Sequence, residues 1–590
     1  MKTRRIFTLL IVTVMMFSLN AETRYVSKTG SSTPPYTSWA TAADSIMTAM
    51  RFSEFGDTIV VGDGIFTESV RCIPGVVLLG SGWENTWIQI PQDSVFGVRM
   101  EDLCTLSNLK ITGPGMFLPD NYGVFCFRGY DGRKSVRVDN VKITACGLAA
   151  TFFSTSFTYL DTARFTNSVI DSCRTGVDVS CYYAEVFNNN ISAYEHALYL
   201  AISGEANVYN NILVAMPYNS LHYRFSVTTY SFNRPSHIHN NLIMSRVYYD
   251  VLTPFCIGSE LGVDTLSNNV YVGNFGRVIN THSVSDYRDI YNNYISGGKF
   301  KGFEGESHIR FNDFWNNTVH WNWLSVGGTA PIDTITNIIH YPMFVNEDED
   351  YHLQKFSPLI NAGDTLKQDP DGTRSDIGLY GGQSGASYTY LDLPPVIPRG
   401  ITVEIESDKV SLRWKKNYES DFKDYLIYGD TVQGFAADST RLIGITADTS
   451  FKTIIPEFNG SYFMTLRSRD NQGNISEPSE EIRIVPAGVA QEGHEVVMEY
   501  QLFNNYPNPF NPETVIGYRL KSAGRVILTV YTITGEPVRV LEDRELPAGY
   551  HETVFRGDEL ASGIYLYKID VRSPEGVPVY TSVRKMLLLK

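Results

Sequence analysis

The sequence predicts an all-β protein in which a parallel β-helix is followed by two β-sandwich domains. A short motif (an apolar residue, any residue, then Asn) recurs nine times in the first two-thirds of the chain. Aromatic residues make up 13% of the chain, with 36 Tyr and 32 Phe, and such residues favour strands over helices. Almost no stretch repeats its apolar residues every 3.6 positions, which argues against helical repeats.

Length and charge limit the classes of protein that need considering. A chain of 590 residues is long enough for three or four domains of roughly 100–200 residues each. With 43% hydrophobic and 19% charged residues, it is not a disordered acidic polymer. The net charge of −15 and the pI of 5.3 argue against nucleic acid as a general partner.

Residues 1–21 are predicted to be a secretory signal peptide. Lys2, Arg4 and Arg5 form a basic start, residues 6–19 are an apolar run, and Ala21 suits the residue before the cut. The run is short for a membrane span of about 20 residues. No second stretch of the chain has the length of a transmembrane segment, so none is predicted.

The nine motifs have the spacing expected of stacked coils. Their asparagines are separated by 21 to 32 residues and by 26 on average, which indicates fixed strands joined by variable loops. Each coil is predicted to supply about three short strands, and the asparagine amides to bond in a ladder along the stack. Asn210→Leu is then expected to destabilise the coil. The nine asparagines are Asn108, Asn140, Asn167, Asn188, Asn210, Asn240, Asn268, Asn292 and Asn316.

All seven cysteines lie between Cys72 and Cys256, and no pair has the spacing of a zinc or redox motif. Cys146 and Cys173 each follow a motif asparagine by six residues. They are therefore predicted to stack in adjacent coils, and whether they form a disulfide stays open.

Residues 24–382 resemble the right-handed parallel β-helix proteins of the pectate-lyase-like superfamily. The resemblance implies a right-handed β-helix over residues 22–390, and this fold hosts lyases, hydrolases, adhesins and spacers alike. Residues 41–52 are predicted to form an amphipathic helix that caps the first coil. The matching segments are Arg24–Ser27, Ser38–Thr41, Gly56–Gly64, Phe66–Glu68, Pro342–Val345, Tyr351–Leu353, Ser357–Gly363 and Asp376–Gly382.

Residues 395–487 resemble a fibronectin type III domain. Val410–Trp414 and Asp424–Tyr428 alternate in polarity as half-buried strands do, and Ser461–Ser468 adds a late strand with a tyrosine. Domains of this family are usually spacers. Residues 488–502 are predicted to be a linker.

Residues 503–590 resemble the type A C-terminal sorting domain of the type IX secretion system. The resemblance rests on Phe503–Pro512, Val530–Gly535, Leu560–Tyr565 and the basic, apolar terminus Arg584–Lys590. It implies export across the outer membrane, so the protein is predicted to be secreted or held at the outer-membrane surface, with the type IX machinery as its partner.

The sequence contains no catalytic motif, so no catalytic residue is predicted. It lacks the clustered aspartates and Gly-His-Gly of pectin hydrolases and the Trp-Ile-Asp-His of pectate lyases. A long interval between motifs suggests that part of 217–250 loops out of the coil, where binding sites often form. The predicted ligand-binding residues there are Tyr223, Arg224, Arg234, His237 and His239.

One cofactor, calcium, is considered. Asp369, Asp371 and Asp376 offer oxygen ligands of the kind calcium prefers, although their spacing is not that of an EF-hand. The alternative is an ordinary solvated turn.

Two functions remain open at this stage. The first is a non-catalytic surface rod that binds carbohydrate or extracellular matrix, with binding mapped to the loops around 112–133 and 217–237. The second is a secreted polysaccharide lyase or glycoside hydrolase acting on acidic polysaccharides, which requires acidic and basic groups projecting together from adjacent coils.

Overall fold

The structure is a computed structural model. In it the chain forms two compact units, Met1–Asp392 and Leu393–Lys590. Of the predicted signal peptide, only Ala21 is described. No helix among the described residues is long and apolar enough to cross a membrane. The described residues are 21–116, 121–128, 135–154, 162–216, 225–231, 236–245, 255–259, 264–275, 277–281, 288–301, 307–317, 319–322, 335–347, 349–406, 409–454, 461–484, 500–503, 505, 508, 510, 512–522, 524–533, 535–546, 549–558, 560–573 and 577–588.

The first unit is built mostly from parallel strands, and its last two strands form an antiparallel pair. In chain order they are β1 Thr23–Val26, β2 Thr58–Val61, β3 Gly64–Thr67, β4 Val70–Arg71, β5 Val77–Gly80, β6 Thr86–Gln89, β7 Phe96–Arg99, β8 Thr105–Thr112, β9 Tyr122–Arg128, β10 Ser135–Thr144, β11 Leu148–Ser154, β12 Thr162–Thr166, β13 Val169–Phe187, β14 Asn190–Tyr209, β15 Ile212–Ala215, β16 Phe225–Ser231, β17 Ser236–His239, β18 Leu242–Ser245, β19 Phe255–Ser259, β20 Asp264–Ser267, β21 Val270–Phe275, β22 Arg277–Thr281, β23 Arg288–Tyr291, β24 Tyr294–Lys301, β25 Ser307–Arg310, β26 Val319–Asn322, β27 Phe344–Asn346 and β28 Asp350–Leu353.

These strands stack into three parallel faces, so each coil contributes three strands, as predicted. Sheet I contains β1, β2, β5, the first parts of β8 and β10, β12, the ends of β13 and β14, β17, β20, β23 and β25. Sheet II contains β3, β6, the second parts of β8 and β10, the starts of β13 and β14, β15, β18, β21 and β24. Sheet III contains β4, β7, β9, β11, the middles of β13 and β14, β16, β19 and β22.

The core of this unit is the interior of the coil. Strand β13 runs through all three sheets, and Ile170, Val177 and Val186 enter the core from sheets II, III and I. Because side chains alternate along a strand, the residues between them face outward. Parallel pairing and this alternation confirm the predicted all-β coil.

Eight of the nine motif asparagines form the corner between sheets I and II. All nine have φ between 52° and 58°, in the left-handed region that Asn tolerates better than most residues. In the coil after Asn292 the corner residue is Phe311, with φ 54°, so Asn316 falls outside the column. The motif therefore marks a backbone turn. Part of the predicted ladder also forms here, because the Asn140 Nδ2 donates to the Asn108 Oδ1 at 2.6 Å and the Asn188 Nδ2 donates to the Asn167 Oδ1 at 3.1 Å.

The continuous, buried amide ladder lies one residue later than the motif asparagines, which corrects the predicted position. Asn188 and Asn210 are exposed because a left-handed corner directs their side chains outward, whereas the next residue points inward. The Asn211 Oδ1 accepts hydrogen bonds from the backbone N and the Nδ2 of Asn189, at 3.0 and 2.9 Å. The same pattern continues through the stack. The ladder residues are Asn189, Asn211, Asn241, Asn269, Asn293, Asn312 and Asn337.

The predicted cap is shorter than residues 41–52. A 3₁₀ turn, Trp39–Thr41, precedes the helix α1, Ile46–Met50. The helix cannot begin earlier because Ala43 pairs with Val26 in a parallel bridge. The Glu68 carboxylate accepts hydrogen bonds from the backbone N–H groups of Ile46 and Met47 at 2.9 and 3.0 Å, which satisfies the start of α1.

The segment after the last coil, residues 344–390, folds back along the outside of the stack. The antiparallel pair β27 and β28 begins it. Its apolar residues, including Phe344 and Leu359, pack with Leu242, Val270 and Tyr294 of sheet II. This return segment covers the outer face of sheet II at its C-terminal end.

The return segment also satisfies the corner asparagines beneath it. The Nδ2 of Asn240 donates to the carbonyls of Leu379 and Gly381, each at 2.8 Å. The Oδ1 of Asn292 accepts from the backbone N of Asp364 at 2.6 Å. These bonds explain why Asn240 and Asn292 are buried whereas Asn188 and Asn210 are exposed.

Six cysteines are described with their side chains; all six are buried, and none of them forms a disulfide. Cys146 and Cys173 occupy equivalent positions in adjacent coils, and the Cys146 backbone N donates to the Cys173 Sγ at 3.4 Å. The predicted stacking is confirmed, without a disulfide.

The second unit contains two antiparallel sandwiches, as predicted. In the first, the sheet β29-β30-β33 encloses a core with the sheet β32-β31-β34-β35, and Trp414 meets Tyr425 edge to face within it. In the second, the sheet β36-β37-β40 encloses a core with β39-β38-β41-β42. The strands are β29 Thr402–Glu406, β30 Lys409–Arg413, β31 Phe422–Asp430, β32 Leu442–Thr446, β33 Ser450–Ile454, β34 Tyr462–Asp470, β35 Ile482–Ile484, β36 Gln501–Leu502, β37 Glu513–Leu520, β38 Gly524–Thr532, β39 Pro537–Leu546, β40 Gly549–Arg556, β41 Gly563–Arg572 and β42 Pro578–Leu588.

Candidate functional site

A row of polar side chains crosses the outer face of sheet III. Thr151, Asp178 and Tyr199 are aligned in adjacent coils by the register of β11, β13 and β14. Asp178 faces outward because its neighbours Val177 and Val179 lie in the core. We call Thr151, Asp178, His196 and Tyr199 the sheet III site.

The polar groups of this site are shielded from solvent. Thr151 is only 6% exposed although it faces away from the core. The Thr151 Oγ1 and the Asp178 Oδ1 are both buried and have no hydrogen-bond partner in the described part of the chain. Two neighbouring buried oxygens without partners are unusual, since buried polar groups are normally hydrogen-bonded.

Burial changes the protonation of both ionisable groups in the site. It raises the pKa of Asp178 to about 6 from 3.8, because the carboxylate loses hydration. It lowers the pKa of His196 to about 4 from 6.5, because the imidazolium loses hydration. The rings of His196 and Tyr199 meet edge to face with centroids 6.0 Å apart. His196 is therefore neutral at pH 7, while Asp178 titrates just below neutrality.

The shift of Asp178 predicts a specific pH dependence of stability. A carboxyl group whose pKa is higher in the folded protein than in the unfolded chain stabilises the fold below about pH 4, where it is protonated. This stabilisation is lost as the pH rises through about 6 and the folded protein releases the proton. Asp178→Asn should keep the stabilisation at every pH, because the asparagine side chain does not ionise. The variant should exceed the wild type in unfolding free energy by about 3 kcal/mol at pH 8 and match it at pH 4. Urea denaturation at several pH values checks this, and parallel pH curves would contradict it.

The two predicted histidines lie on another face. His237 and His239 both face outward from sheet I, as their spacing predicted, with Ile238 buried between them. The His239 ring stacks on Tyr209 at 5.2 Å, and Tyr209 stacks on Phe187 at 4.8 Å. Tyr209 lies between the other two rings, so both of its faces are covered.

The ring nitrogens of His239 are also engaged. The Nδ1 is 2.9 Å from the Asn240 Oδ1, and the Nε2 is 3.1 Å from the Asn207 Oδ1. Burial lowers the pKa of His239. The Nε2 of His237 lies 3.9 Å from Glu205. Tyr223, Arg224 and Arg234, the other predicted ligand-binding residues, lie outside the described residues.

The three predicted calcium ligands accept internal hydrogen bonds. The Asp369 carboxylate accepts from the backbone N–H groups of Asp376 and Gly382, and Asp376 accepts from the Asn361 N and the Tyr390 hydroxyl. Asp371 accepts from both the backbone N and the hydroxyl of Thr373, as in a polar turn.

These hydrogen bonds join different parts of the return segment to the carboxylates of Asp369, Asp371 and Asp376. Among the described residues, the three aspartates do not bring three carboxylate oxygens within 4.8 Å of one another. Burial raises the pKa of Asp376 to about 6. The calcium hypothesis stays a prediction, and the hydrogen bonds give these carboxylates a structural role without an ion.

Sequence reasoning did not identify the sheet III site. Asp178 sits between two valines, which is the ordinary alternation of a half-buried strand. Its special feature is that the outward side is also shielded, and that depends on residues distant in sequence.

Comparisons with known proteins do not show a family for this chain. No protein family model matches the chain. No curated protein matches it. Among solved structures, the dimeric latent PorU from Porphyromonas gingivalis is 15% identical over 33% of this chain, which spans only 20% of the PorU chain, with a TM-score of 0.18. The third fibronectin III domain of the human KIAA0343 protein is 19% identical over 19% of this chain and 100% of its own length, with a TM-score of 0.14. The central fibronectin III array of RIM-binding protein is 15% identical over 33% of this chain and 70% of its own, with a TM-score of 0.18.

Proposed function

We propose that this is a surface protein exported by type IX secretion, whose β-helix binds polysaccharide at the sheet III site. The observation that carries the binding proposal is the adjacent pair of buried, unpartnered oxygens on Thr151 and Asp178. An unmet buried acceptor costs about 1–3 kcal/mol, so a ligand that displaces the residues shielding these two oxygens and supplies donors to them is favoured.

Sugar hydroxyls match what the site lacks. Each hydroxyl can donate one hydrogen bond and accept others, so a single sugar can satisfy the Asp178 carboxyl and the Thr151 hydroxyl together. Tyr199 adds an aromatic ring next to Asp178, and the coil spacing of about 4.8 Å suits an extended chain lying across neighbouring coils. In this account the rod is the binding element and the fibronectin-like sandwich is a spacer.

The export proposal rests on the predicted leader and on the last sandwich. The first and last parts of the sorting-domain resemblance are bonded to each other. The Phe510 backbone N donates to the Leu587 carbonyl, and the Leu587 N donates to the Asn508 Oδ1, each at 2.9 Å. Phe510 and Leu588 are both buried in the same core.

Binding to a polysaccharide panel tests the proposed site. Thr151→Val combined with Asp178→Asn removes one hydroxyl and one carboxylate while nearly keeping side-chain volume. Retention of the identified ligand should fall at least about tenfold, since the Thr151 hydrogen bond is lost and the bond at residue 178 loses its charged acceptor. Glu205→Gln, an exposed carboxyl in the neighbouring coil on sheet I, is the matched control and should bind like the wild type. Equal binding by the double variant and the control would rule out the site.

The alternative function is cleavage of the bound polysaccharide by a lyase or hydrolase activity. The observation that favours it is the pair of perturbed groups, because an acid with a pKa of about 6 can give or take a proton near neutrality. Neutral His196 beside Tyr199 could accept a proton in a lyase reaction. Incubation with acidic polysaccharides, with and without calcium, should then release shorter chains from the wild type and none from His196→Gln.

A further inference from the structure

One acidic residue interrupts a column of apolar side chains on the outer face of sheet II. The column consists of the residue after each ladder asparagine, and parallel pairing aligns its members in adjacent coils. At this end of the stack the return segment packs on the column. The aligned members are Leu242, Val270, Tyr294, Asp313 and Ile338.

The Asp313 carboxyl is fully buried in this position. The residue is 0% exposed, and its Oδ1 accepts a hydrogen bond from the His340 backbone N at 2.9 Å. Its Oδ2 is buried and has no hydrogen-bond partner among the described residues. The ring of Tyr294, the next residue in the column, meets the Phe344 ring edge to face with centroids 5.0 Å apart. The hairpin of β27 and β28, residues 344–353, therefore packs beside the buried carboxyl.

No cation compensates this carboxyl in the described part of the chain. The ionisable groups around the Tyr294 hydroxyl are Asp313, Glu347 and Tyr351, and none of them carries a positive charge. His340 bonds to Asp313 through its backbone, and its side chain is exposed. Burial raises the pKa of Asp313 well above its usual range, because the carboxylate loses its hydration.

Ionisation of Asp313 would place an unpaired charge inside an apolar contact. Such a charge is costly when buried, whereas the same carboxylate in water is hydrated. The contact that excludes water is then disfavoured. The rest of the return segment is held differently, by hydrogen bonds of the neutral Asn240 and Asn292 amides, which do not ionise.

We propose that Asp313 makes the hairpin of β27 and β28 a pH-sensitive latch on sheet II. The hairpin packs against the coil while Asp313 carries its proton, and it lifts locally when Asp313 releases that proton to water. Lifting hydrates the carboxylate and uncovers the Tyr294 ring, while Asn240 and Asn292 keep the rest of the segment in place. The latch uses no residue of the sheet III site, so it can be tested whether or not that site binds a ligand.

Opening of the latch is coupled to the release of one proton. The closed form is favoured at low pH, where Asp313 is protonated in both forms. The ratio of open to closed hairpin should rise about tenfold per pH unit above the pKa of a hydrated carboxyl, about 4. The ratio should level off once the closed form also ionises.

Hydrogen exchange followed by mass spectrometry on the full chain measures this opening. After correction for the intrinsic exchange rate at each pH, the amides of residues 344–353 should lose protection by about tenfold per pH unit from about pH 5 until the plateau. Peptides from residues 58–80, at the other end of the coil, should keep the same protection throughout.

Two variants at the same position remove the charge. Asp313→Asn keeps an oxygen that can accept from the His340 N but cannot ionise, so its hairpin should show protection that does not vary with pH. Asp313→Leu makes the column apolar throughout and should give the same flat profile. It also provides a second test if the asparagine variant folds poorly.

Other ionisable groups on the hairpin provide the matched controls. The His352 Nδ1 lies 2.5 Å from the Asp350 Oδ1, and the His352 ring stacks on Tyr380 with centroids 3.7 Å apart. A change in the charge of His352 could therefore also alter the contact. His352→Gln and, at the exposed Glu347, Glu347→Gln should both keep the pH dependence of the wild type.

Three results would overturn the proposal. The first is protection of the wild-type hairpin that does not change with pH, which needs no variant to fold. The second is a pH dependence that persists in Asp313→Asn or Asp313→Leu. The third is a pH dependence that disappears in His352→Gln, which would make His352 the group that controls the hairpin.

Discussion

Deleting residues 503–590 should leave the protein in the periplasm of its own host instead of at the surface or in the medium. The deletion removes the whole last sandwich, including the Asn508–Phe510 segment and the terminus that bonds to it. The four-stranded sheet of that sandwich ends with β42, which pairs with β41 along almost its whole length. Cell fractionation with antibodies against the β-helix measures the effect, which should be nearly complete.

A point substitution sharpens the same experiment. Phe510→Ala leaves a cavity at a position that is 2% exposed, and it should lower the unfolding free energy of the last sandwich by about 3–5 kcal/mol. The contact between Phe510 and the C-terminal strand would weaken, and export should fall. Ile533→Ala, at a position 64% exposed, is the control and should export normally. Normal surface display of the chain lacking 503–590 would remove the basis for the type IX assignment.

Asn241→Leu should lower the unfolding free energy of the β-helix by about 4 kcal/mol or more. Asn241 is fully buried, and its Oδ1 accepts from the Asn211 N and Nδ2 at 3.0 and 2.9 Å. Its own amide donates to the Val208 and His239 carbonyls and to the Asn269 Oδ1. Leucine leaves several of these groups unsatisfied, at about 1–3 kcal/mol each.

The corner asparagine provides the matched control. Asn210 is exposed and has φ 55°, a conformation that glycine adopts without strain. Asn210→Gly should therefore change the unfolding free energy by no more than about 1 kcal/mol. Thermal and urea unfolding of both variants decide the question. Equal melting temperatures for Asn241→Leu and the wild type would show that the ladder does not stabilise the coil.

The coil could be predicted from the sequence because its repeat is local. The turn from sheet I to sheet II uses a residue with positive φ. In each coil from Asn108 to Asn292 this residue is an asparagine, so the repeat is visible in the sequence. The side-chain role of these residues could not be predicted, since Asn210 and Asn211 look alike in sequence. Only the backbone geometry sends one amide out and the next one in.

The predicted binding residues differ from those of the sheet III site because the sequence does not show how side chains from different coils pack together. His237 and His239 stand out in sequence because histidines are few, yet the ring of His239 is already bonded and stacked. Asp178 looks ordinary, but its environment is set by packing across coils. The cap differs for a similar reason. The amphipathic pattern predicts a helix over residues 41–52, but Ala43 pairs with Val26, a residue distant in sequence, and the helix is shorter.

A crystal structure of the full chain with a bound oligosaccharide from the polysaccharide it retains tests the central claim most directly. The account predicts a sugar on the outer face of sheet III, with hydroxyls within about 3.2 Å of the Asp178 Oδ1 and the Thr151 Oγ1. Tyr199 should contact the same sugar. A ligand found only on other faces, with Asp178 and Thr151 bonded to water or to each other, would contradict it.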